Sequence, residues 1–375
     1  MKVPRAPGKW VDDLDASMPV TEAAERVLSV RLDGICTMLP LARDGDGDHP
    51  RVIHQLRVST RRYEAALMVF RPCLREKKYR RMRKHVRRIR RAAGGARLCD
   101  VHAGIFAGEV DRAEQHEQEA LQYVLQRILD ERGEAQEDVD KVTRRYRGSR
   151  LSRKHRRLIK GLSSPGPDDV PPSSPQTETT LHDLARVELG RLVDRTESAG
   201  RDDLSIVTNL HELRIKIKRL RYGMELFASC FGPSFRQEVY PRVEALQERL
   251  GDINDTSEII DQLNRYADEL AEGRKPALRA LRQVEDHEIT QMISQLENLR
   301  SRFERHQADH VKTFRAWFGE FGLDELLGDL RRLLSPDASP DPGAEPGPSG
   351  RNGSAGGATS LASSSARAGE KKDDP

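Results

Sequence analysis

The sequence contains few cysteines, few aromatic residues and no long apolar run, and each shortage excludes a class of protein. Its four cysteines are scattered and form no C-x-x-C pair, which fits reduced thiols rather than a disulfide framework or a zinc site. No stretch approaches the roughly 18 to 20 uncharged apolar residues of a membrane span, and the N-terminus lacks the apolar run of a secretory signal. We therefore expect a cytoplasmic protein that has no membrane partner, metal or cofactor.

Charge is what the sequence has in excess, and it is unevenly distributed. Of the 375 residues 33% are charged, although the net charge is only +4. Residues 51–98 contain 17 Lys and Arg against two Glu, residues 141–160 contain ten Lys and Arg without an acid, and residues 211–221 contain five against one Glu. The rest of the chain is consequently acidic, and this concentration of positive charge indicates a polyanionic partner.

Three tracts without apolar periodicity divide the chain, and strand signals are nearly absent between them. Apolar residues recur there at intervals of three and four, so the predicted fold class is all-α. We expect an N-terminal extension (1–20), a first helical unit (21–162), a Pro- and Ser-rich linker (163–180), a second helical unit (181–334) and a disordered tail (335–375). The predicted helices cover about 22–40, 51–71, 76–93, 100–147, 152–161, 181–198, 205–230, 235–250, 254–272 and 277–320.

An internal repeat appears when the chain is aligned with itself at an offset of 157 residues. HQLRVSTRRYEAALMVFRPC (54–73) then lies without a gap on HELRIKIKRLRYGMELFASC (211–230). The register continues to Gly94 and Gly251, which we expect to end a helix because glycine accepts a positive φ at low cost. Two copies of one helical unit predict a pseudo-symmetric pair of bundles.

Both copies place bases on one side of a helix and apolar residues on the other. His54, Arg57 and Arg61 share a side in the first copy, and His211, Arg214 and Lys218 do so in the second. Like charges at this density disfavour a helix, and phosphate groups would neutralise them well because guanidinium groups bind their oxygens in pairs. The alternative to anion binding is that these bases form a basic face exposed to solvent. The same two interpretations apply to residues 141–160.

The repeated histidines predict tighter anion binding at mildly acidic pH, because a protonated ring donates from both nitrogens. Metal binding is not expected, since neither His54 nor His211 has a second His or a carboxylate three or four residues further along its basic face. Asp252, Asp255 and Glu258 are more simply helix caps than ligands of a divalent cation.

The two repeated segments resemble the CHAD family, the conserved histidine α-helical domain, whose repeats open with H-x-L-R-[VI] followed by further bases. The likeness extends to GGARLCDV (94–101) and GDINDTSEI (251–259), which are similar to the turn after the second helix of each family repeat. It covers roughly residues 20–325. It implies two pseudo-symmetric four-helix bundles with a basic channel between them that binds inorganic polyphosphate without catalysis, and association with polyphosphate granules.

Carried over position by position, the resemblance also assigns the polyphosphate-binding residues. They are His54, Arg57, Arg61, Arg62, Arg83, Arg87, Arg90 and Arg97 in the first copy, and His211, Arg214, Lys218, Arg219, Arg221 and Tyr222 in the second. The first copy departs from the family pattern at Glu64, where a base is usual, and at Leu98, where an Asp of the turn is usual.

Two other classes of function are open on the sequence. The sequence motifs argue against an enzyme that acts on phosphates. Gly8-Lys9 lacks the remainder of a P-loop, and the E-x-E-x-K signature of triphosphate tunnel domains is absent. A non-specific nucleic-acid-binding protein is the alternative, but the basic segments contain few aromatic residues on which bases could stack. We expect nucleic acids to compete only weakly with polyphosphate.

Overall fold

Helices form almost all of the chain that the structure describes. The structure, a computed structural model, describes residues 7–43, 49–146, 149–160, 162, 179–273 and 286–335. The first half contains α1 (Val20–Leu41), α2 (His49–Val69), α3 (Glu76–Val110), α4 (Gln115–Arg145) and α5 (Ser149–Ile159). The second half contains α6 (Leu181–Gly200), α7 (Val207–Phe227), α8 (Tyr240–Gly273), α9 (Asp286–Phe321) and α10 (Leu323–Leu333). The described residues form no strand, so the all-α prediction is confirmed.

The elements of the second half follow in the same order as those of the first. A 3₁₀ turn at Arg71–Cys73 follows α2, and a 3₁₀ turn at Ala228–Cys230 follows α7. In each half a long helix comes next and pairs with the helix after it as an antiparallel hairpin, α3 with α4 and α8 with α9. This order is what two copies of one unit would produce, and the internal repeat itself stays a prediction.

Two predicted helix ends are wrong, because the chain continues helically through both glycines. Gly94 lies inside α3 and Gly251 inside α8, so the segments 94–101 and 251–259 are helical rather than turns. The glycine with positive φ among the described residues is Gly322, which separates α9 from α10 with φ 69°. Helix α10 was not predicted, and the predicted start of α9 at 277 lies outside the described residues.

The hydrophobic residues form two clusters, each of which takes side chains from both halves. The larger cluster joins α1, α2 and α5 to α6, α7 and α10, and includes Leu56 and Leu213 at corresponding positions of α2 and α7. The smaller cluster lies between the two hairpins and includes Phe106 of α3 and Phe303 of α9. The halves therefore share their cores, and α2 packs against α7 between them.

Residues outside the main helical layers are also fixed to the core. Val11 and Leu14 of the N-terminal extension are buried, and the Arg31 guanidinium donates to the carbonyl oxygens of Gly8 (2.7 Å) and Lys9 (2.6 Å). Helix α5 is held by the buried contact between the Tyr63 hydroxyl and His155 Nδ1, at 2.9 Å. The extension thus packs on the helices, whereas the predicted tail from 336 onward lies outside the described residues.

None of the described helices is both long and apolar enough to cross a bilayer.

Candidate functional site

Basic side chains from both halves converge where α2 packs against α7. This central cluster consists of His54, Arg57 and Arg61 of α2, Arg90 and Arg97 of α3, and Arg214 and Lys218 of α7. Their charges act on one another: the pKa of Lys218 responds to Arg214, Arg61 and Arg57, and that of His54 responds to Arg97. The structure therefore brings together seven of the residues that the sequence assigned to the site.

Four side chains of the central cluster have no ion-pair partner among the described residues. The side chains of Arg57, Arg61, Arg97 and Lys218 make no hydrogen bond or ion pair with any of the described residues. Buried or half-buried charges are normally paired, because desolvation penalises an isolated charge. The cluster therefore has cationic groups that are free to bind an anion.

The crowding of these cations changes their pKa values. Burial, together with the charges of Arg214, Arg61 and Arg57, lowers the pKa of Lys218 to about 7. Burial, followed by the charge of Arg61, lowers the pKa of Arg57 to about 10. An anion placed among these groups would reverse both shifts, because an opposite charge favours the protonated form.

A glycine of α3 makes room for one of these cations. A Cβ atom built on Gly94 would lie 2.6 Å from Nη1 of Arg57, which is shorter than any ordinary contact. The Arg57 guanidinium therefore crosses the surface of α3 at the point where a side chain is missing. The equivalent residue of the second half, Gly251, has open space around its Cα.

Carboxylates from α8 border the central cluster on its other side. Arg214 Nη2 lies 3.4 Å from Asp255 Oδ1, and the charge of Glu258 acts on both Arg57 and Arg214. Asp252, Asp255 and Glu258 lie within α8, so the prediction that they cap a helix is wrong. They neutralise only part of the positive charge, and burial raises the pKa of Asp255 in spite of the nearby Arg214.

The two repeated histidines lie in different environments. Partial desolvation, followed by the charges of Arg97, Arg61 and Arg57, lowers the pKa of His54. His211 donates from Nδ1 to Asn254 Oδ1 at 2.7 Å, and Asn254 in turn donates to Glu258 at 2.8 Å. Asn254 therefore orients the His211 ring, and the low pKa of His54 makes it a weaker source of positive charge near neutral pH than the sequence suggested.

Two further predicted residues are engaged in a buried ion-pair network beside the cluster. Arg62 Nε donates to Glu225 Oε2 at 2.8 Å, and Arg221 Nη1 lies 3.1 Å from Glu244. The Glu225 side chain is only 1% exposed and also accepts from the Tyr240 hydroxyl at 3.0 Å. Arg62 thus neutralises the buried Glu225 and joins α2 to α7, whereas Arg221 joins α7 to α8 through Glu244.

The predicted bases of α3 surround a buried carboxylate. Glu64 is 6% exposed and lies 3.2 Å from Arg83, 4.0 Å from Arg87 and 3.0 Å from Arg90. The departure from the family pattern at position 64 therefore places an internal counter-ion beside the central cluster.

The remaining predicted residues lie at the edge of the site. Arg219 is exposed, and Tyr222 is 9% exposed, with the Arg221 guanidinium 5.4 Å from its ring centroid. The other tyrosines of the basic segments, Tyr63, Tyr79 and Tyr146, are buried in the core. None of these rings offers a free face for stacking a base.

Sequence reasoning missed Gly94, Asn254 and the acidic residues of α8 as parts of the site. Their places in the site depend on the packing of α3 against α2 and of α8 against α7. The described residues contain no group of three or more His, Cys, Asp and Glu that could hold a metal ion.

Comparisons with known proteins agree with this architecture. The model of the CHAD domain family matches residues 26–264. The fold is similar to the crystal structure of the CHAD domain from the plant Ricinus communis, with a TM-score of 0.58 and 20% identity over 84% of this chain and 96% of that chain. It is also similar to PptA from Streptomyces chartreusis, with a TM-score of 0.53 and 16% identity over 81% of this chain and 99% of that chain. No curated protein matches the chain.

Proposed function

Because this chain belongs to the CHAD domain family, we propose that it binds inorganic polyphosphate through the central cluster and does so without catalysis. The observation that carries the proposal is the set of unpaired cations at the junction of α2, α3 and α7. The charges of Arg61 and Arg57 act on the pKa of Lys218, and the charge of Arg61 acts on that of Arg57. No carboxylate among the described residues lies within ion-pair distance of these three side chains. An extended phosphate chain supplies the continuous negative charge that such a group requires.

The chemistry of the cluster favours phosphate over nucleic-acid bases. Guanidinium groups bind phosphate oxygens in pairs, and a lysine adds an adaptable point charge. Single-stranded nucleic-acid sites add aromatic rings on which bases stack, and Tyr222, the aromatic residue predicted for the site, is buried. We therefore expect recognition of the phosphate chain alone, with nucleic acids as weak competitors.

The test compares two variants from which the same charge is removed. The central variant carries Arg57→Gln, Arg61→Gln, Arg214→Gln and Lys218→Gln. The control variant carries Arg195→Gln, Arg305→Gln, Lys312→Gln and Arg315→Gln, which replace exposed cations of α6 and α9. Long-chain polyphosphate is titrated against each variant and the wild type across a salt series, with duplex DNA and single-stranded RNA of equal charge as competitors.

We expect the wild type to prefer polyphosphate to both nucleic acids by at least tenfold, or about 1.4 kcal/mol. The central variant should lose this preference, while the control variant keeps it and both remain helical by circular dichroism. Equal binding of all three polyanions, with the two variants alike, would instead mean that the charge is diffuse and would favour the nucleic-acid alternative. Polyphosphate that keeps its chain length after prolonged incubation would agree with binding without catalysis.

Association with polyphosphate granules would follow from binding. A fluorescent fusion of the wild type should concentrate on granules in cells that make them, and the central variant should not. Granule localisation that survives in the central variant would show that another part of the chain directs it.

A further inference from the structure

A second basic surface lies on the side of α3 that faces α4. This outer groove has a volume of about 820 Å³. Its cationic lining comes from Arg80, Lys84, Arg88 and Arg91 of α3 and from Lys141 and Arg145 of α4. The one carboxylate in the lining is Asp138, and Lys141 of the same groove already pairs with it at 3.2 Å. The groove is therefore strongly and uniformly positive.

Several cations of the outer groove are free. Lys84, Arg88, Arg91 and Arg145 are exposed, and their side chains make no hydrogen bond or ion pair with the part of the chain that the structure describes. Two of them act on a half-buried neighbour: partial burial, followed by the charge of Lys154 beside the groove and then by those of Arg145 and Arg88, lowers the pKa of His85 to about 4. An unneutralised field of this strength favours an anionic ligand.

The bases of the groove are not required by the helix that carries them. At the offset of 157, Lys84, Arg88 and Arg91 correspond to Pro241, Ala245 and Glu248 of the second half. The second half folds into the same order of helices without those bases. Like charges on one helix face also destabilise it, so their presence in α3 calls for a role in binding.

The outer groove is continuous with the central cluster. Arg83 and Arg87 line the groove and also contact Glu64, at 3.2 Å and 4.0 Å. Arg90 contacts the same carboxylate at 3.0 Å, and the pKa of Arg90 responds to the charge of Arg61 in the central cluster. A row of guanidinium groups thus leads from the groove, across α3, to the cluster between α2 and α7.

We propose that the outer groove binds a second stretch of the same polyphosphate chain that the central cluster holds, so that one long polymer occupies both. This inference rests on the proposed function and extends it to chain length. The lining offers no base recognition, because it contains no Asn or Gln and its aromatic residue, Tyr79, is 4% exposed. A uniform phosphate polymer satisfies both surfaces, whereas a short oligophosphate is held by the central cluster alone.

The test adds an outer variant to the two described above. It carries Lys84→Gln, Arg88→Gln, Arg91→Gln and Arg145→Gln. Like the control variant, it therefore loses three Arg and one Lys. Glutamine keeps the helix propensity close to that of the residues replaced. Tripolyphosphate, long-chain polyphosphate and duplex DNA are titrated against all four proteins, and circular dichroism and thermal unfolding verify that each is folded.

We expect the outer variant to lose at least about tenfold in affinity for long-chain polyphosphate relative to the control variant. Its affinity for tripolyphosphate should stay within about twofold of the control. The slope of log affinity against log salt for the long chain should fall by about 3, since each lost phosphate contact changes it by roughly 0.7.

Three results would overturn the inference. The first is an equal loss of long-chain affinity in the outer and control variants, and the second is an equal loss of tripolyphosphate and long-chain affinity in the outer variant. The third is a loss confined to duplex DNA, which would assign the groove to nucleic acid. Failure of the proposed function looks different, because the central variant would then bind long-chain polyphosphate as the wild type does.

Discussion

At the scale of single residues, the site depends on where each cation lies and on which neighbour it meets. Gly94 is the clearest case, because its missing side chain accommodates the Arg57 guanidinium. Lys218 is another, since its charge near neutral pH is set by Arg214, Arg61 and Arg57. Substitutions at these two positions should change polyphosphate affinity without destabilising the fold.

The Gly94→Ala variant should bind polyphosphate more weakly without being less stable. The added methyl group would displace Nη1 of Arg57, which is the flexible end of its side chain, while alanine within a helix gains up to about 1 kcal/mol over glycine. Gly251→Ala is the matched control, since nothing lies near that position. Titration and urea unfolding of both variants test this, and equal polyphosphate affinities for the two would contradict it.

The pH dependence of binding should come mainly from Lys218. Its pKa in the free protein is about 7 and an anion raises it, so binding takes up a proton between pH 7 and the pKa of the complex. Affinity should therefore be greatest below about pH 7 and fall above it by up to about tenfold per pH unit. Lys218→Arg should flatten this profile between pH 7 and 9, and an unchanged profile would refute the assignment.

Protonation of His54 should strengthen binding further, at a lower pH than protonation of Lys218. Its pKa lies below the ordinary histidine value, so its protonation strengthens binding only at lower pH than the sequence suggested. Affinity measured from pH 7 down to pH 5 for the wild type and a His54→Gln variant would resolve this contribution. Identical profiles for the two proteins over that range would exclude it.

At the scale of helices, the basic face of α2 and α7 could be predicted from the sequence because amphipathic periodicity fixes which residues share a side. The repeat identified the pairs His54 with His211 and Arg57 with Arg214 in the same way. The partners across each face could not be predicted, because they depend on how helices pack. Asn254, for example, faces His211 only because α8 lies beside α7. Gly94 suggested a helix end from the sequence, whereas in the structure a glycine stands there because the Arg57 side chain approaches α3 closely.

Helix packing also explains why Arg62 differs from its neighbours on α2. Its ion pair with Glu225 joins α2 to α7, and its side chain is 15% exposed against 1% for Glu225. Arg62→Met should cost about 3 kcal/mol of unfolding free energy, because it leaves a buried carboxylate without its main partner. Adding Glu225→Gln should restore at least half of that loss in urea unfolding.

Polyphosphate affinity provides the second measurement on these variants. A role in packing predicts that Arg62→Met binds polyphosphate within about twofold of the wild type. If it instead bound as weakly as the central variant and kept full stability, Arg62 would belong to the ligand site rather than to the interface between α2 and α7.

At the scale of the whole molecule, the two halves should unfold together. Both hydrophobic clusters contain residues from each half, so neither half has a complete core of its own. Calorimetry should show a single transition, and polyphosphate at about 100 times its dissociation constant should raise the unfolding free energy by about 2.7 kcal/mol. Two separate transitions, or a shift of only one of them, would show that the halves are independent.

The carboxylate of Glu64 has a consequence for the rate at which a bound polymer moves. It lies among Arg83, Arg87 and Arg90, where the central cluster meets the outer groove, so under the proposed function it competes with phosphate for these guanidinium groups. A chain of identical phosphates has no preferred register, and each such exchange would shift it by one unit while its other contacts persist. We therefore expect the protein to slide along polyphosphate in short steps, with Glu64 as a built-in competitor that keeps the polymer from becoming trapped.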